Sequence, residues 1–517
     1  MWKTQVFQEA FRESFRPGGT PRRSVKSARQ RLDDGNPGCH PRNIPLPRYG
    51  LTALIVACAL FMESLDGTVI ATSLPAIAAD LHQGPIALKL ALTSYLLSLA
   101  IFIPASGWAA DKFGARTIFR AAIVVFTLGS VLCGFSSTLW QFVAARIIQG
   151  VGGAMMVPVG RLVLLRTVPK SEVVNALAYL TIPALLGPLF GPLVGGFITT
   201  YFHWRWIFFI NVPIGVLGIA LVSLHIQNVH GEAWPLDVPG FLLSGAGLAA
   251  LIFGMTLAGR GIVGLDVVLA LMGIGTLLLA AYYLHARRTK FPILDLNLLK
   301  VPTFRAAVVG GSLFRVGIGA TPLLLPLMLQ VGFGLNAFQS GSITFISSLG
   351  AMAMKTTAAP ILRFFGFRRV LLFNSLLSAA ILACYGFFTP TTPRFLMMAL
   401  LLSGGFFRSL EFTSINAITY ADIDHIAMSR ATSFSSVAQQ LSLSLGITIG
   451  AFLLQTSQAV HGTAHITTAD FPWAFVGVAL VSASSVLLFR RLPEDAGIQL
   501  AGGAPRKKAA RAEPTEG

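Results

Sequence analysis

The sequence predicts an all-α polytopic membrane protein, and three observations carry that expectation. Hydrophobic residues fill 54% of the 517 positions, charged residues only 12%, and mean hydropathy is +0.70, more apolar surface than one soluble core can bury. Apolar runs of about 20 residues, the length a helix needs to cross a bilayer, recur along the whole chain. The Lys and Arg residues behind the formal net charge of +18 lie mostly between and before these runs. They read as determinants of membrane orientation rather than as a nucleic-acid surface, and no folded reading element accompanies the basic N-terminal stretch.

Residues 1–48 are polar, Arg-rich and broken by Pro and Gly, which predicts a disordered cytoplasmic tail. Phe7, Phe11 and Phe15 recur there at four-residue spacing beside Arg12 and Arg16, a pattern that also suits a short amphipathic surface helix. No secretory signal is expected, because no apolar core begins before Leu51. Spanning helices are predicted near 50–75, 88–110, 118–137, 139–162, 176–200, 205–226 and 238–258. Seven more follow near 265–284, 305–330, 338–361, 369–388, 394–420, 433–456 and 471–489, giving fourteen.

Charge supports the even number. With the tail inside, inward connections carry Lys112 and Arg116, then Arg161, Arg166 and Lys170, then Arg287, Arg288, Lys290 and Lys300. Arg363, Arg368 and Arg369 follow, and the C-terminal segment brings Arg490, Arg491, Arg506, Lys507, Lys508 and Arg511. Outward connections such as LHQG and VGFGLNAFQ are nearly free of both residues, so both termini are expected in the cytoplasm. The inward connection 227–237 has no Lys or Arg, which makes the seventh and eighth spans the least supported.

A faint internal repeat organises the spans. ADKFGARTIF between the second and third has a counterpart in LRFFGFRRVLLF between the tenth and eleventh, with Gly114 beside Gly366 and Arg116 beside Arg368. This predicts an N-terminal six-helix bundle over 49–226, two additional helices within 227–300, a C-terminal six-helix bundle over 301–490, and a disordered cytoplasmic tail over 491–517. Cys58, Cys133 and Cys384 fall inside apolar runs and Cys39 in the tail, without metal or redox spacing, so neither a disulfide nor a metal site is expected.

The stretch LLGPLFGPLVGGFI, Leu185 to Ile198, is the most unusual helix. Gly187, Gly191 and Gly195 share one nearly bare face, with Gly196 beside them, while Pro188 and Pro192 remove backbone donors. In a lipid-embedded bundle such a face lets two backbones approach closely, and neighbouring groups can take the freed carbonyls. It suits a slightly bent helix at a moving interface, or small-residue packing alone.

These residues resemble the major facilitator superfamily and, within it, the fourteen-span drug:proton antiporters. GWAADKFGAR, Gly107 to Arg116, resembles the superfamily's connection between helices two and three. LDGTVIATSLPAI, ARIIQGVGGAMMVP and GPLFGPLVGG resemble the first-, fourth- and fifth-helix motifs, in the correct order. Two departures stand out: Ala115 replaces a usual basic residue, and Thr72 a usual asparagine. The resemblance implies two packed bundles that rock about a central pathway. It also implies a role in proton coupling for Arg146, with Gln149 one turn later. In the connection motif, Asp111 can pair with Arg116 or with a helix end, Gly107 allows close approach of another helix, and Lys112 and Gly114 are further gating candidates; such contacts can bias which face is closed.

Ionisable residues inside spans are site candidates by default. Glu63 and Asp66 lie three apart on the first span, where burial and like charge favour protonation of one of them, and either can attract a cationic substrate. Arg315 and Lys355 are candidate second-half counterparts of Arg146. Arg408 and Glu411, three apart, can pair with each other or face a substrate. Phe61 and Phe314 stand near these charges, and Trp204 and Trp206 are expected to anchor an interface.

The expected function is proton-coupled antiport that exports small hydrophobic or amphipathic compounds by alternating access. The alternative is a dedicated exporter of one metabolite, sugar or siderophore. A membrane enzyme or sensor is disfavoured because the histidines form no ligand set, and the absence of a Walker motif argues against ATP; no cofactor beyond the proton gradient is expected. The expected setting is a bacterial inner membrane. Protons, a small-molecule substrate and the lipid bilayer are the expected partners, with a periplasmic adaptor and outer-membrane channel as further candidates, no nucleic acid, and a monomeric state.

Overall fold

The computed structural model describes residues 48–167, 173–231, 235–257, 264–424, 427–463, 465–494 and 496–497, and within them all side chains except those of 48–50, 165–167, 173–185, 359 and 429. The proposed tail helix around Phe7, Phe11 and Phe15, the side chain of Arg166, Lys170, and the basic C-terminal residues Arg506, Lys507, Lys508 and Arg511 lie outside this set.

Fourteen helical rods make up the described chain. The first seven are α1 (Arg48–Asp80), α2 (Lys89–Phe113), α3 (Ala115–Phe135), α4 (Leu139–Thr167), α5 (Val173–Tyr201), α6 (Trp206–His225) and α7 (Val238–Leu257). They continue as α8 (Leu265–Arg288), α9 (Pro302–Gly332), α10 (Ala337–Phe365), α11 (Phe367–Tyr385), α12 (Arg394–Thr419), α13 (Met428–His461) and α14 (Thr468–Phe489). Among the described residues, twelve are long and apolar enough to cross a membrane. The other two, α5 and α10, have 29 residues each, which is consistent with fourteen spans. Side chains of α5 are described only from Leu186, and Lys355, Thr356 and Thr357 dilute the apolar character of α10.

Local sequence explains the breaks. Gly114 alone separates α2 from α3 at φ 89°, and Gly366 alone separates α10 from α11 at φ 76°, a region that favours residues without a Cβ. The two basic connections of the repeat therefore share one backbone solution. Asn336 opens α10 with a capping box: its Oδ1 accepts from the Gln339 amide at 2.8 Å while Gln339 Oε1 accepts from the Asn336 amide at 3.1 Å. Pro322 and Pro326 interrupt the hydrogen-bond ladder of α9, which opens and closes in wider π turns at Ala306–Gly310 and Met328–Gly332.

Helices α1–α6 form one bundle, with α1 against α5, α2 and α3 against α4, and α3 against α6. Helices α9–α14 form the other through the α10–α12, α9–α13 and α11–α12 contacts. The two meet along α5–α10 and α2–α13. The inserted pair α7–α8 is a hairpin whose first helix leans on α2 and α13, so it lies along this seam. Leu265, Leu269 and Leu277 on α8 are largely exposed, as a lipid-facing helix requires. The first residues after α6 dock on the α2–α3 turn: Ala115 N donates to Val229 O at 3.1 Å and Thr117 N to Asn228 Oδ1 at 3.3 Å.

Two expectations fail. Trp204 is buried between Phe142 and Phe208, with the Arg205 guanidinium 4.4 Å from its ring; aromatic packing has drawn it inward, and only Trp206 is exposed. Gly107 admits no close helix neighbour, since a Cβ there would meet nothing within 4 Å.

Candidate transport site

The N-terminal bundle converges on Asp66. Its Oδ2 accepts from Arg146 Nη1 at 2.7 Å, and its Oδ1 accepts from Gln149 Nε2 at 2.8 Å and Asn211 Nδ2 at 3.1 Å. Ser130 Oγ accepts from the same Gln149 and Asn211 amides at 2.7 and 3.2 Å, and Arg146 Nη1 also donates to Gln149 Oε1 at 2.5 Å. The carboxylate thus ties α1, α4 and α6 together, Ser130 brings in α3 through the same two amides, and the ion pair is 1% exposed on each side. Three charge-assisted donors on a buried carboxylate are strong individually and mutually reinforcing. Arg146 Nε has no partner, so this sealed network still holds one unspent donor.

Glu63 joins through an aromatic relay. Tyr95 on α2 donates its hydroxyl to Glu63 Oε1 at 3.2 Å, while the Arg146 guanidinium lies 4.1 Å from the Tyr95 ring centre. The two first-span carboxylates are therefore held differently, Asp66 by a cation and Glu63 by a phenol. Tyr95, Ser130 and Asn211 are not among the sequence candidates; each is a polar residue inside an apolar run, which is the signal that marks them.

The C-terminal candidates form no mirror image. Arg315 is buried, donates to Asn416 Oδ1 at 3.0 Å and lies 5.3 Å from the Phe412 ring, with Nε unpartnered. Arg408 and Glu411 do not pair with each other: Arg408 Nη2 donates to Ser347 Oγ of α10 at 3.2 Å, while Glu411 Oε2 accepts from Asn374 Nδ2 of α11 at 2.8 Å. Helix α12 is wedged between α10 and α11, and each neighbour claims one of the two side chains. Phe314 is buried and Phe61 half-buried, each against the apolar core.

The motif glycines act as close contacts. A Cβ on Gly187 would lie 2.8 Å from Leu65 N, on Gly191 2.7 Å from Thr68 Cβ, and on Gly195 2.6 Å from Thr72 Oγ1, so this face lies against α1. Gly196 faces the other bundle, where its Cβ would lie 2.9 Å from Phe338 Cα of α10. Pro192 leaves the Pro188 carbonyl without its helical donor, and Ser348 Oγ of α10 supplies one at 2.9 Å. Nearby, Thr200 Oγ1 accepts from Phe338 N at 2.9 Å and Gln330 Nε2 donates to Thr72 O at 2.8 Å. Between the bundles these contacts close the end at which α1 and α5 finish and α10 begins.

Beneath that closure lies a cavity of about 370 Å³ lined by α1, α5, α9, α10 and α12. Thr68 and Thr72, Pro188 and Pro192, Thr321, Ser347, Lys355, Arg408 and Phe412 are among its lining residues. Asp66, Glu63, Arg146, Arg315 and Glu411 do not line it. At the basic end, Arg116 Nη1 reaches the Ile226 carbonyl just after α6 at 3.4 Å, and Lys112 lies 4.8 Å from the Trp108 ring. The Asp111 carbonyl accepts from Gly231 N at 3.2 Å.

The sequence profile described as Major Facilitator Superfamily matches residues 56–288 and 307–514. A protein of Pectobacterium carotovorum provisionally named multidrug resistance protein MdtD is 37% identical over 448 residues, covering 85% of this chain and 95% of that protein. A protein of Salmonella heidelberg with the same name is 37% identical over 458 residues, covering 85% and 94%. Among solved structures, a D-xylose-proton symporter superposes with a TM-score of 0.62 at 15% identity, covering 86% of this chain and 98% of its own. The nucleoside transporter NupG gives a TM-score of 0.55 at 14% identity, covering 86% and 100%; these structures share the fold alone.

Proposed function

The chain belongs to the major facilitator superfamily, and from that premise we propose that it is one of the superfamily's fourteen-span drug:proton antiporters and exports small hydrophobic or amphipathic compounds in exchange for protons. The observation that carries the proposal is the sealed Asp66–Arg146–Gln149–Asn211 cluster beside, but outside, a cavity bounded by both bundles. A proton on Asp66 removes the charge that Arg146 answers. The cation then seeks other partners, and helices α1, α3, α4 and α6 lose the contact that fixes their mutual packing. Because α1 also lines the cavity and carries the glycine contact with α5, that change reaches the substrate pathway directly.

Orientation follows from charge. Lys112 and Arg116, Arg287 and Arg288, and Arg363, Arg368 and Arg369 cluster at the ends of α2, α8 and α10, which supports a cytoplasmic position for that end and an outer position for the closed end. The protein then sits in a bacterial inner membrane with both termini inside, works without cofactor on the proton gradient, and acts as a monomer. A periplasmic adaptor with an outer-membrane channel is a compatible extension. The multidrug names of the relatives favour a broad substrate range over the single-metabolite alternative.

The test uses purified protein in sealed liposomes with a lumenal pH dye and a panel of hydrophobic and amphipathic probes. Probe-dependent proton flux in the intact protein supports the proposal. Probe movement under an imposed gradient with no accompanying proton movement refutes it.

A further inference from the structure

Resting on the transporter reading above, we infer that the central cavity selects amphipathic organic anions: a carboxylate, sulfonate or phosphonate on an apolar body, its acid group held by the Arg408 fork and attracted by the further positive charge of Lys355. These two are the ionisable side chains among the lining residues, and both are cations. Neither has a carboxylate partner among the described residues. Lys355 Nζ donates to Thr413 Oγ1 at 2.8 Å and Arg408 Nη2 to Ser347 Oγ at 3.2 Å, so only neutral hydroxyls answer them.

The acidic residues nearby do not line the cavity. Asp66 is sealed against Arg146, Glu63 accepts from Tyr95, and Glu411 lies on the side of α12 that faces Asn374. Two uncompensated cations in a protein-lined cavity raise its potential and repel a cationic ligand, and an anion that enters relieves both. Their geometry also suits an elongated acid. Ser347, which marks the level of Arg408, and Lys355 are eight residues apart on α10, a rise of about 12 Å along the helix. Arg408 offers a planar fork for two oxygens and Lys355 a point charge. Phe412, Met352 and Leu325 provide apolar surface between them for the body of the ligand.

Three probes sharing one naphthyl body decide the matter: 1-naphthaleneacetate, its neutral amide, and (1-naphthylmethyl)trimethylammonium. Equilibrium dialysis against the full chain in detergent, without any proton gradient, should show the anion binding at least about tenfold more tightly than either of the others. The double variant Lys355→Gln/Arg408→Gln should lose about tenfold or more in anion affinity while the amide binds as before, which also reports an intact cavity. Arg408→Lys should retain part of the anion affinity. Equal or tighter binding of the quaternary ammonium, unchanged anion affinity in the double variant, or no binding of any probe at millimolar concentration would overturn the inference. The comparison of probes on the unaltered protein stands even if the double variant does not fold. Because binding needs no gradient, loss of proton coupling would sink the antiport reading and leave this result in place.

Discussion

Arg146 and Asp66 lie 80 residues apart in sequence and 2.7 Å apart in space, as an ion pair sealed from solvent between α4 and α1. Removing one partner strands the other. Arg146→Met should lower the apparent Tm of the detergent-solubilised protein, consistent with a cost of about 3–5 kcal/mol for breaking a buried pair. Adding Asp66→Asn to the same protein removes the stranded charge and should recover about half of the loss. A double variant no more stable than Arg146→Met would show that the pair is not what holds α1 to α4.

Two glycines from neighbouring motifs carry opposite expectations. Gly191→Val drives a branched side chain into Thr68 and should cost about 1–3 kcal/mol through overpacking, with transport falling alongside stability. Gly107→Ala meets nothing and should leave the melting curve and the flux unchanged. Thermal melts and flux assays run in parallel separate the two.

The α2–α3 and α10–α11 turns should behave alike. Gly114→Ala and Gly366→Ala each place a Cβ at positive φ, at a cost of about 1–3 kcal/mol. Gly114→Ala should be the worse of the two, because its Cβ would also lie 2.6 Å from Asn228 Cγ, whereas nothing crowds Gly366. Equal losses would mean that the docking of the segment after α6 contributes nothing.

The helices were legible because apolar runs are one-dimensional signals, and the two glycines singled out by the internal repeat, Gly114 and Gly366, stand at helix ends in the structure. The Asp66–Arg146 cluster was legible in its charged members, since burying charge in lipid demands a reason. Asn211 and Tyr95 were harder to see, because one neutral polar residue in an apolar run has many structural uses. Azimuth was not legible at all. Arg408 and Glu411 share a spacing that suits pairing, yet the neighbours on either side of α12 decide where each points. Trp204 likewise turned inward to pack on Phe208, four residues on, and on Phe142 of α4, which is remote in sequence.

The closure between α5 and α10 can be trapped. In a background lacking Cys39, Cys58, Cys133 and Cys384, cysteines at positions 200 and 338 replace a contact made at 2.9 Å between Thr200 Oγ1 and Phe338 N. Oxidation should join α5 to α10 and stop transport, and a reductant should restore it. Full transport with the crosslink in place would mean that these two helices do not part during the cycle.

The most direct measurement is the number of protons moved per substrate in sealed liposomes, for the intact protein and for Asp66→Asn, both still binding the same substrate. Proton coupling through the buried carboxylate predicts a fixed ratio in the intact protein and substrate binding with no linked proton movement in the variant. An unchanged ratio in Asp66→Asn would place the coupling elsewhere and contradict the role assigned to the cluster around Arg146.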